Sequence, residues 1–311
     1  MTDLAATSRE TIQKGSQSFA AAAALFDPQT RADAEMLYAW CRHCDDVIDG
    51  QTLGHDREML EQADVEQRLM ALYAQTRAAL AGDPTDDPAF AAFREVALRR
   101  AIPERYPIDL IDGFAMDVEG RRYETIEDTL DYCWHVAGCV GVMMAIVMGV
   151  KPDDLATLRR AQDLGLAFQL TNIARDIVED ALNDRVYLPA DWLAAAGVPE
   201  HAVADPAHRA AIAGLARRLV DAAEPYYASA RWGLRGLPVR SAWAVAAARG
   251  VYREIGVKVV ARGAAAWDER VSTSTAEKLG LALGGGLMAL RGATLDRWRE
   301  PPERPALWSK I

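Results

Sequence analysis

Two short segments carry carboxylates at helical spacing beside arginines. In the first, Tyr38, Arg42, Asp45 and Asp49 stand at i, i+4, i+7 and i+11, with Asp46 alongside. On a helix these residues share one face, so two carboxylates point the same way one turn apart, with a guanidinium a turn earlier. In the second, Gln169, Asn172, Asp176 and then Glu179 with Asp180 form a polar stripe among Leu166, Leu170, Ile173 and Ile177, and Arg175 sits beside it. Aspartates one turn apart can chelate a hard divalent cation through oxygen, and magnesium keeps coordination positions open for phosphate oxygens. Arginine adds forked donors for the same phosphates. The chemistry implied is the ionisation of a diphosphate.

Two solvated faces are the competing reading. With 45 acidic residues among 311, acid pairs at i, i+4 arise from composition, and either stripe taken singly fits water better. Both stripes, however, interrupt segments otherwise fit for burial, and carboxylates buried without cations are very costly. Taken together they favour a shared cavity that holds cations. That reading requires the two stripes to face one another.

The elements that must position them are helices. The first stripe lies between Pro28 and Gly50, with Thr30 as a candidate N-cap and Gly50 as the stop. The second lies between Pro152 and Asn183, opened by Asp153 and Asp154. Apolar residues recur at helical period along most of the chain. Pro and Gly cut it into helix-sized pieces, and no alternating βα pattern appears. The expected fold class is all-α, with residues 1–311 as a single domain and loose ends at about 1–11 and 300–311, where Pro301, Pro302 and Pro305 forbid helix. Val257 to Val260 could pass for a strand but has no partner strands. The apolar run Val136 to Val150 is shorter than a membrane span and reads as a core helix. Gly284-Gly285-Gly286 lacks the Lys-Ser/Thr of a phosphate loop and reads as a flexible break.

Half of the residues are hydrophobic, so a substantial core can be buried. A net charge of −10 argues against nucleic acid as a partner. An acidic chain still binds phosphorylated molecules where metal ions mediate the contact. Cys41, Cys44, Cys133 and Cys139 read as buried thiols in a reducing cytoplasm; Cys41-Arg42-His43-Cys44 falls in a helical stretch, and no second pair completes a metal site. The N-terminus has no signal-peptide pattern.

Tyr38-Ala39-Trp40-Cys41-Arg42-His43-Cys44-Asp45-Asp46-Val47-Ile48-Asp49 resembles the first aspartate-rich motif of the squalene and phytoene synthase family, and Gln169 to Asp180 resembles the second. Ser16-Gln17-Ser18-Phe19, Tyr123, Tyr132 with Val136-Ala137-Gly138, Arg185-Val186-Tyr187-Leu188-Pro189, Tyr252 and Arg270 extend the resemblance over about residues 15 to 275. The wording, including Leu164-Gly165-Leu166-Ala167-Phe168, is closest to the bacterial phytoene synthases of the carotenoid pathway.

The resemblance implies the helical isoprenoid-synthase fold with a central apolar cavity. It implies Asp45 and Asp49 on one wall and Asp176 and Asp180 on the other holding magnesium ions, with Asn172 completing the ligand set and Gln169 supporting it. Manganese could substitute, and no NADPH is expected. Arg42, Arg175, Tyr252 and Arg270 would contact diphosphate, and Tyr132 would lie near the reacting carbons. Phe19, Val136, Ala137, Gly138 and Gly141 would line the prenyl channel, although tight helix packing explains the glycines equally well. Some relatives carry lysine where Gln17 stands, which would leave this site one cation fewer. The implied reaction joins two geranylgeranyl diphosphates head to head through a cyclopropyl diphosphate to phytoene. The alternatives are a squalene or dehydrosqualene synthase using farnesyl diphosphate, or a non-catalytic assembly or lipid-binding relative. Peripheral membrane contact follows from the insoluble product, and contact with other enzymes of the carotenoid pathway from the family's role.

Overall fold

The computed structural model describes residues 4–15, 22–50, 62–296 and 298–311, and every regular element among them is helical. The helices are α1 (Leu4–Gly15), α2 (Pro28–Asp49), α3 (Gln62–Ala81), α4 (Pro88–Arg100), α5 (Arg105–Val118), α6 (Ile126–Cys133), α7 (Cys139–Val147), α8 (Leu155–Ala181), α9 (Ala190–Ala195), α10 (Arg209–Ala230), α11 (Val239–Arg262) and α12 (Thr275–Ala293). A π-helical turn, Trp134–Gly138, joins α6 to α7 without a break. Val257 to Val260 lie inside α11, so the strand alternative falls away.

The two helices that carry the acidic stripes are fixed at their ends by local chemistry. Asp27, and not Thr30, caps α2: its carboxylate accepts the N–H groups of Gln29 at 3.2 Å and Thr30 at 3.1 Å, with Pro28 in the first turn. Gly50 closes α2 at φ 62°, a left-handed conformation that glycine adopts without a Cβ penalty. Asp154 caps α8 through the N–H of Thr157 at 3.1 Å.

Helix α8 lies at the centre, packed against α7, the π turn, α10 and α11. A Cβ at Gly141 would stand 2.7 Å from the Ala161 carbonyl oxygen, so this glycine lets α7 approach α8 closely. Helix Ile126–Val147 is the one described segment long and apolar enough to cross a membrane, and 67 % of its apolar 18-residue window is buried, as befits a core helix. The triple glycine is no break. It lies within α12, where a Cβ at Gly285 would stand 2.8 Å from the Ala247 nitrogen on α11. All four cysteines are unpaired, and burial raises the pKa of each thiol, as expected of small core groups.

Described residues near both chain ends make specific contacts. Ser8 and Ile12 of α1 are buried, and Arg9 pairs with the buried Glu35 at 3.1 Å. The proline-rich tail is irregular but held against α8. Arg304 clasps the buried Asp163 at 2.7 and 3.0 Å, and the Gln162 amide oxygen accepts the backbone N–H groups of Lys310 and Ile311. Asp163 and Gln162 lie fully buried on α8. Polar groups so placed need partners, and the tail supplies them.

Candidate active site

A cavity of about 430 Å³ runs along α8, and its lining is mostly apolar. Its wall on α8 extends from Thr157 through Ala161, Gly165 and Phe168 to Gln169 and Asn172. That is 16 residues, or roughly 24 Å of helix, room for an extended hydrocarbon chain. Val136 and Ala137 of the π turn, Met144 of α7, Tyr252 of α11 and Tyr38 of α2 also line it. The Tyr252 ring stacks on Phe168 with centroids 4.1 Å apart, and burial raises its pKa. Gly138 does not line this space. A Cβ there would meet the Trp134 ring at 2.9 Å, so its smallness serves packing. Phe19, with Gln17, lies outside the described residues.

On both helices the acidic residues follow cavity-lining ones in sequence, although no aspartate of either stripe itself lines the cavity. On α8, Gln169 and Asn172 lead by one turn to Asp176 and by two to Asp180; on α2, Tyr38 leads to Arg42, Asp45 and Asp49. Arg185, in the turn after α8, joins the two walls: its guanidinium is bonded to Asp49 of α2, and it lines a small adjoining pocket with Asp180 and Tyr187. Burial works against the charge of Arg185, but the bond to Asp49 holds its pKa above the ordinary arginine range.

The carboxylates share too few cations. Arg42 reaches Asp45 at 3.1 Å and Asp46 at 3.0 Å. Arg175 grips Asp176 with two bonds of 2.8 and 2.5 Å, and Arg270 approaches Asp176 at 3.3 Å and Glu179 at 3.4 Å. Burial, aided by repulsion from Asp49, raises Asp45 to about 6 against the pull of Arg42. Burial, aided by repulsion from Asp176, raises Asp180 to about 7 against the pull of Arg185. Both shifts come first from burial and second from a like charge one turn away, the pattern of a perturbed site.

Tyr132 is engaged with a carboxylate outside the acidic stripes. It is buried away from the lining of the large cavity, and its hydroxyl donates to Asp117 at 3.0 Å. Tyr187 donates to the other Asp117 oxygen at 2.9 Å, and the two tyrosine rings stack at 4.5 Å. Burial raises Asp117 to about 6, although Arg185 and both phenols oppose the shift. Sequence reasoning singled out neither Asp117 nor Arg185 for a role. Asp117 stands on α5 with no periodic signal, and Arg185 follows a turn whose Asp184 has φ 59°. The one available pointer was the Arg185 to Pro189 wording.

Two atoms test whether a metal and a phosphate suit this site. The Oδ1 atom of Asn172 is buried without a hydrogen-bond partner among the described residues, its amide nitrogen being given to Gln169 at 3.3 Å. A buried orphan oxygen on the face that leads to Asp176 is what a metal ligand presents before the ion arrives. The Nε–H of Arg42 is likewise buried and unpartnered, and suits an anionic oxygen. The residues fit the group. A separate set, Asp109, Asp112 and His135, brings ligand atoms within 4.8 Å of one another on α5 and the π turn.

A profile of the squalene/phytoene synthase family matches residues 12–277. The chain belongs to this family. It is 56 % identical over 302 residues to a 15-cis-phytoene synthase of Pantoea ananas, covering 97 % of this chain and 96 % of that protein. It is 53 % identical over 308 residues to one from a Paracoccus strain, covering 97 % and 99 %. Among solved structures, a dehydrosqualene synthase in complex with ligand superposes with a TM-score of 0.79 at 25 % identity, covering 91 % of this chain and 95 % of that one. The squalene synthase HpnC from Alicyclobacillus acidocaldarius superposes with a TM-score of 0.70 at 24 % identity, covering 83 % and 92 %. These likenesses establish the helical isoprenoid-synthase fold.

Proposed function

We propose that the chain joins two geranylgeranyl diphosphates head to head, through a cyclopropyl diphosphate, to phytoene, with magnesium as the metal. The supporting observation is one apolar cavity whose walls on α2 and α8 both run into a carboxylate pair, with Arg185 between them. Asp45, Asp49, Asn172, Asp176 and Asp180 would hold the ions. Bound there, magnesium supplies Lewis-acid neutralisation of the departing diphosphate, and manganese can stand in for it.

The chain's own residues do the rest. Arg42 offers its unpartnered Nε–H to a diphosphate oxygen, and Arg175 and Arg270, poised on Asp176, share the leaving charge. Loss of diphosphate from one substrate leaves an allylic cation. The double bond of the second attacks it, and proton loss closes the cyclopropane. A second ionisation, rearrangement and proton loss give the product. The apolar walls, including Val136, Ala137 and Met144, keep out the water that would quench the cations. Phe168 and Tyr252 place stacked aromatic faces in the same wall, where a cation is favoured.

The experiment is product identification. Purified protein with magnesium is given geranylgeranyl or farnesyl diphosphate, with and without NADPH, and the hydrocarbon is analysed by mass spectrometry. Phytoene from the C20 substrate without NADPH is expected; squalene or dehydrosqualene from farnesyl diphosphate alone would overturn the assignment. A cytoplasmic protein held loosely at the membrane follows from a substrate and product that reside in lipid.

A further inference from the structure

The outer face of α12 is apolar where a surface helix is ordinarily polar. From Leu279 to Leu290 no side chain is polar. The inner face packs on α11 through small residues: Gly285 on Ala247, Gly286 on Trp243, with the indole N–H of Trp243 bonded to the Ala282 carbonyl at 2.7 Å. The leucines face outward. Leu279 is 64 % exposed, Leu283 62 %, Leu287 72 % and Leu290 56 %, at i, i+4, i+8 and i+11, and Leu295 and Trp298 follow in the next turn at 67 % and 87 %. The four helical leucines alone present on the order of 400 Å², as large as the largest apolar patch of an ordinary soluble monomer.

We propose that this face of α12 is a lipid-docking surface that seats the protein on a bilayer beside its cavity; the occupant follows from the reading above that substrate and product reside in lipid. Three observations favour lipid over a protein partner. Lys278 and Ala282 of the same helix line the large cavity, so the leucine face continues directly into the wall along which a prenyl chain would travel. The apolar stretch is bounded by Lys278 and Arg291, residue types whose long stems can lie on apolar surface, and is followed by the exposed Trp298. Its 12 residues span roughly 18 Å of helix, too short to cross a hydrocarbon core of about 30 Å but suited to lying in the interface. The family match ends at residue 277, before this helix gains its leucines. Arg291 and Arg299 are largely answered by Asp296, at 3.2 and 3.8 Å, so attachment rests on leucine insertion and not on anionic lipid.

The test is flotation of the full chain with phosphatidylcholine vesicles. The natural protein floats with the vesicles, equally at 0.1 and 0.5 M salt; the double variant Leu283→Glu/Leu287→Glu stays in the soluble fraction, a loss of roughly tenfold or more in partitioning. Neither leucine lines the cavity, so turnover on substrate dispersed in detergent micelles is unchanged, as are the circular dichroism spectrum and the melting temperature. Leu283→Ser/Leu287→Ser serves if the glutamates prevent folding. Equal flotation of natural and variant protein, or of neither, overturns the proposal. So does a dimer of the natural protein that the variant abolishes without vesicle binding, which would make a second copy the occupant. Failure of both proteins to form hydrocarbon in micelles would count against the proposed reaction and leave flotation to judge the surface.

Discussion

The carboxylate pairs on α2 and α8 have the same spacing but unequal surroundings. On α2, Asp45 and Asp46 share Arg42 of their own helix, and Asp49 is held by Arg185 from beyond α8. On α8, Asp176 has both Arg175 and Arg270, whereas Asp180 has no bonded cation among the described residues. In each pair one carboxylate is gripped by a guanidinium from elsewhere, and the other is pushed up, Asp45 to about 6 and Asp180 to about 7. Equal spacing therefore does not give equal chemistry. The deficit of positive charge lies between the walls, where a divalent ion would relieve both sides.

Removing a carboxylate from either wall is the largest expected break. Asp49→Asn or Asp176→Asn keeps the shape of the side chain and should lower turnover by roughly a thousandfold or more while the helical spectrum stays unchanged, because charge stabilisation in a dry site has few substitutes. Near-normal turnover in purified samples of both variants would sink the site. Arg185→Gln removes a guanidinium that bonds Asp49 and pulls on Asp180. Turnover should fall by roughly a hundredfold, and stability by about 2 kcal/mol, less than for a fully buried pair because Arg185 keeps 29 % of its side chain exposed. If this variant loses no more activity than one altered at the solvent-facing Arg122, the walls are not coupled through it.

Asymmetry between the walls also predicts a pH dependence. Metal binding needs both raised carboxylates deprotonated, so affinity for magnesium should weaken by roughly tenfold from pH 7 to pH 6. The effect on stability has the opposite sign. A carboxylate raised above its unfolded value adds stability below about pH 4 that is lost as pH climbs through 6 and 7. The metal-free protein should therefore lose stability toward pH 8, and magnesium should raise the melting temperature more at pH 8 than at pH 6. A larger gain at pH 6, read by scanning calorimetry, would show that the deficit lies elsewhere.

The acidic helices were legible because period and charge speak locally. Asp45, Asp49, Asp176 and Asp180 follow from spacing alone, and Tyr38, Gln169 and Asn172 fall in place on the same faces. What stayed hidden depends on contacts far apart in sequence. Arg185 meets Asp49 across 136 positions, and Arg304 meets Asp163 across 141. No local pattern announces either. The prolines of the tail correctly excluded helix, but helix exclusion is not looseness, because the buried Asp163 and Gln162 needed partners. Gly285 misled for a related reason: glycine marks flexibility only where nothing lies close enough to need its missing side chain.

Tyr132 gives the smallest and most discriminating comparison. The resemblance put it beside the reacting carbons, whereas its hydroxyl is spent on Asp117, which Tyr187 also holds. Tyr132→Phe removes one of two phenol bonds that oppose the upward shift of Asp117. The pKa of Asp117, followed by carboxyl NMR, should rise above about 6, while turnover at pH 8 falls by about fivefold, the cost of one modest hydrogen bond of about 1 kcal/mol. A positioning role moves that pKa, and Tyr187→Phe moves it the same way. A direct role at the cation would instead cost a hundredfold or more at every pH and spare Tyr187→Phe.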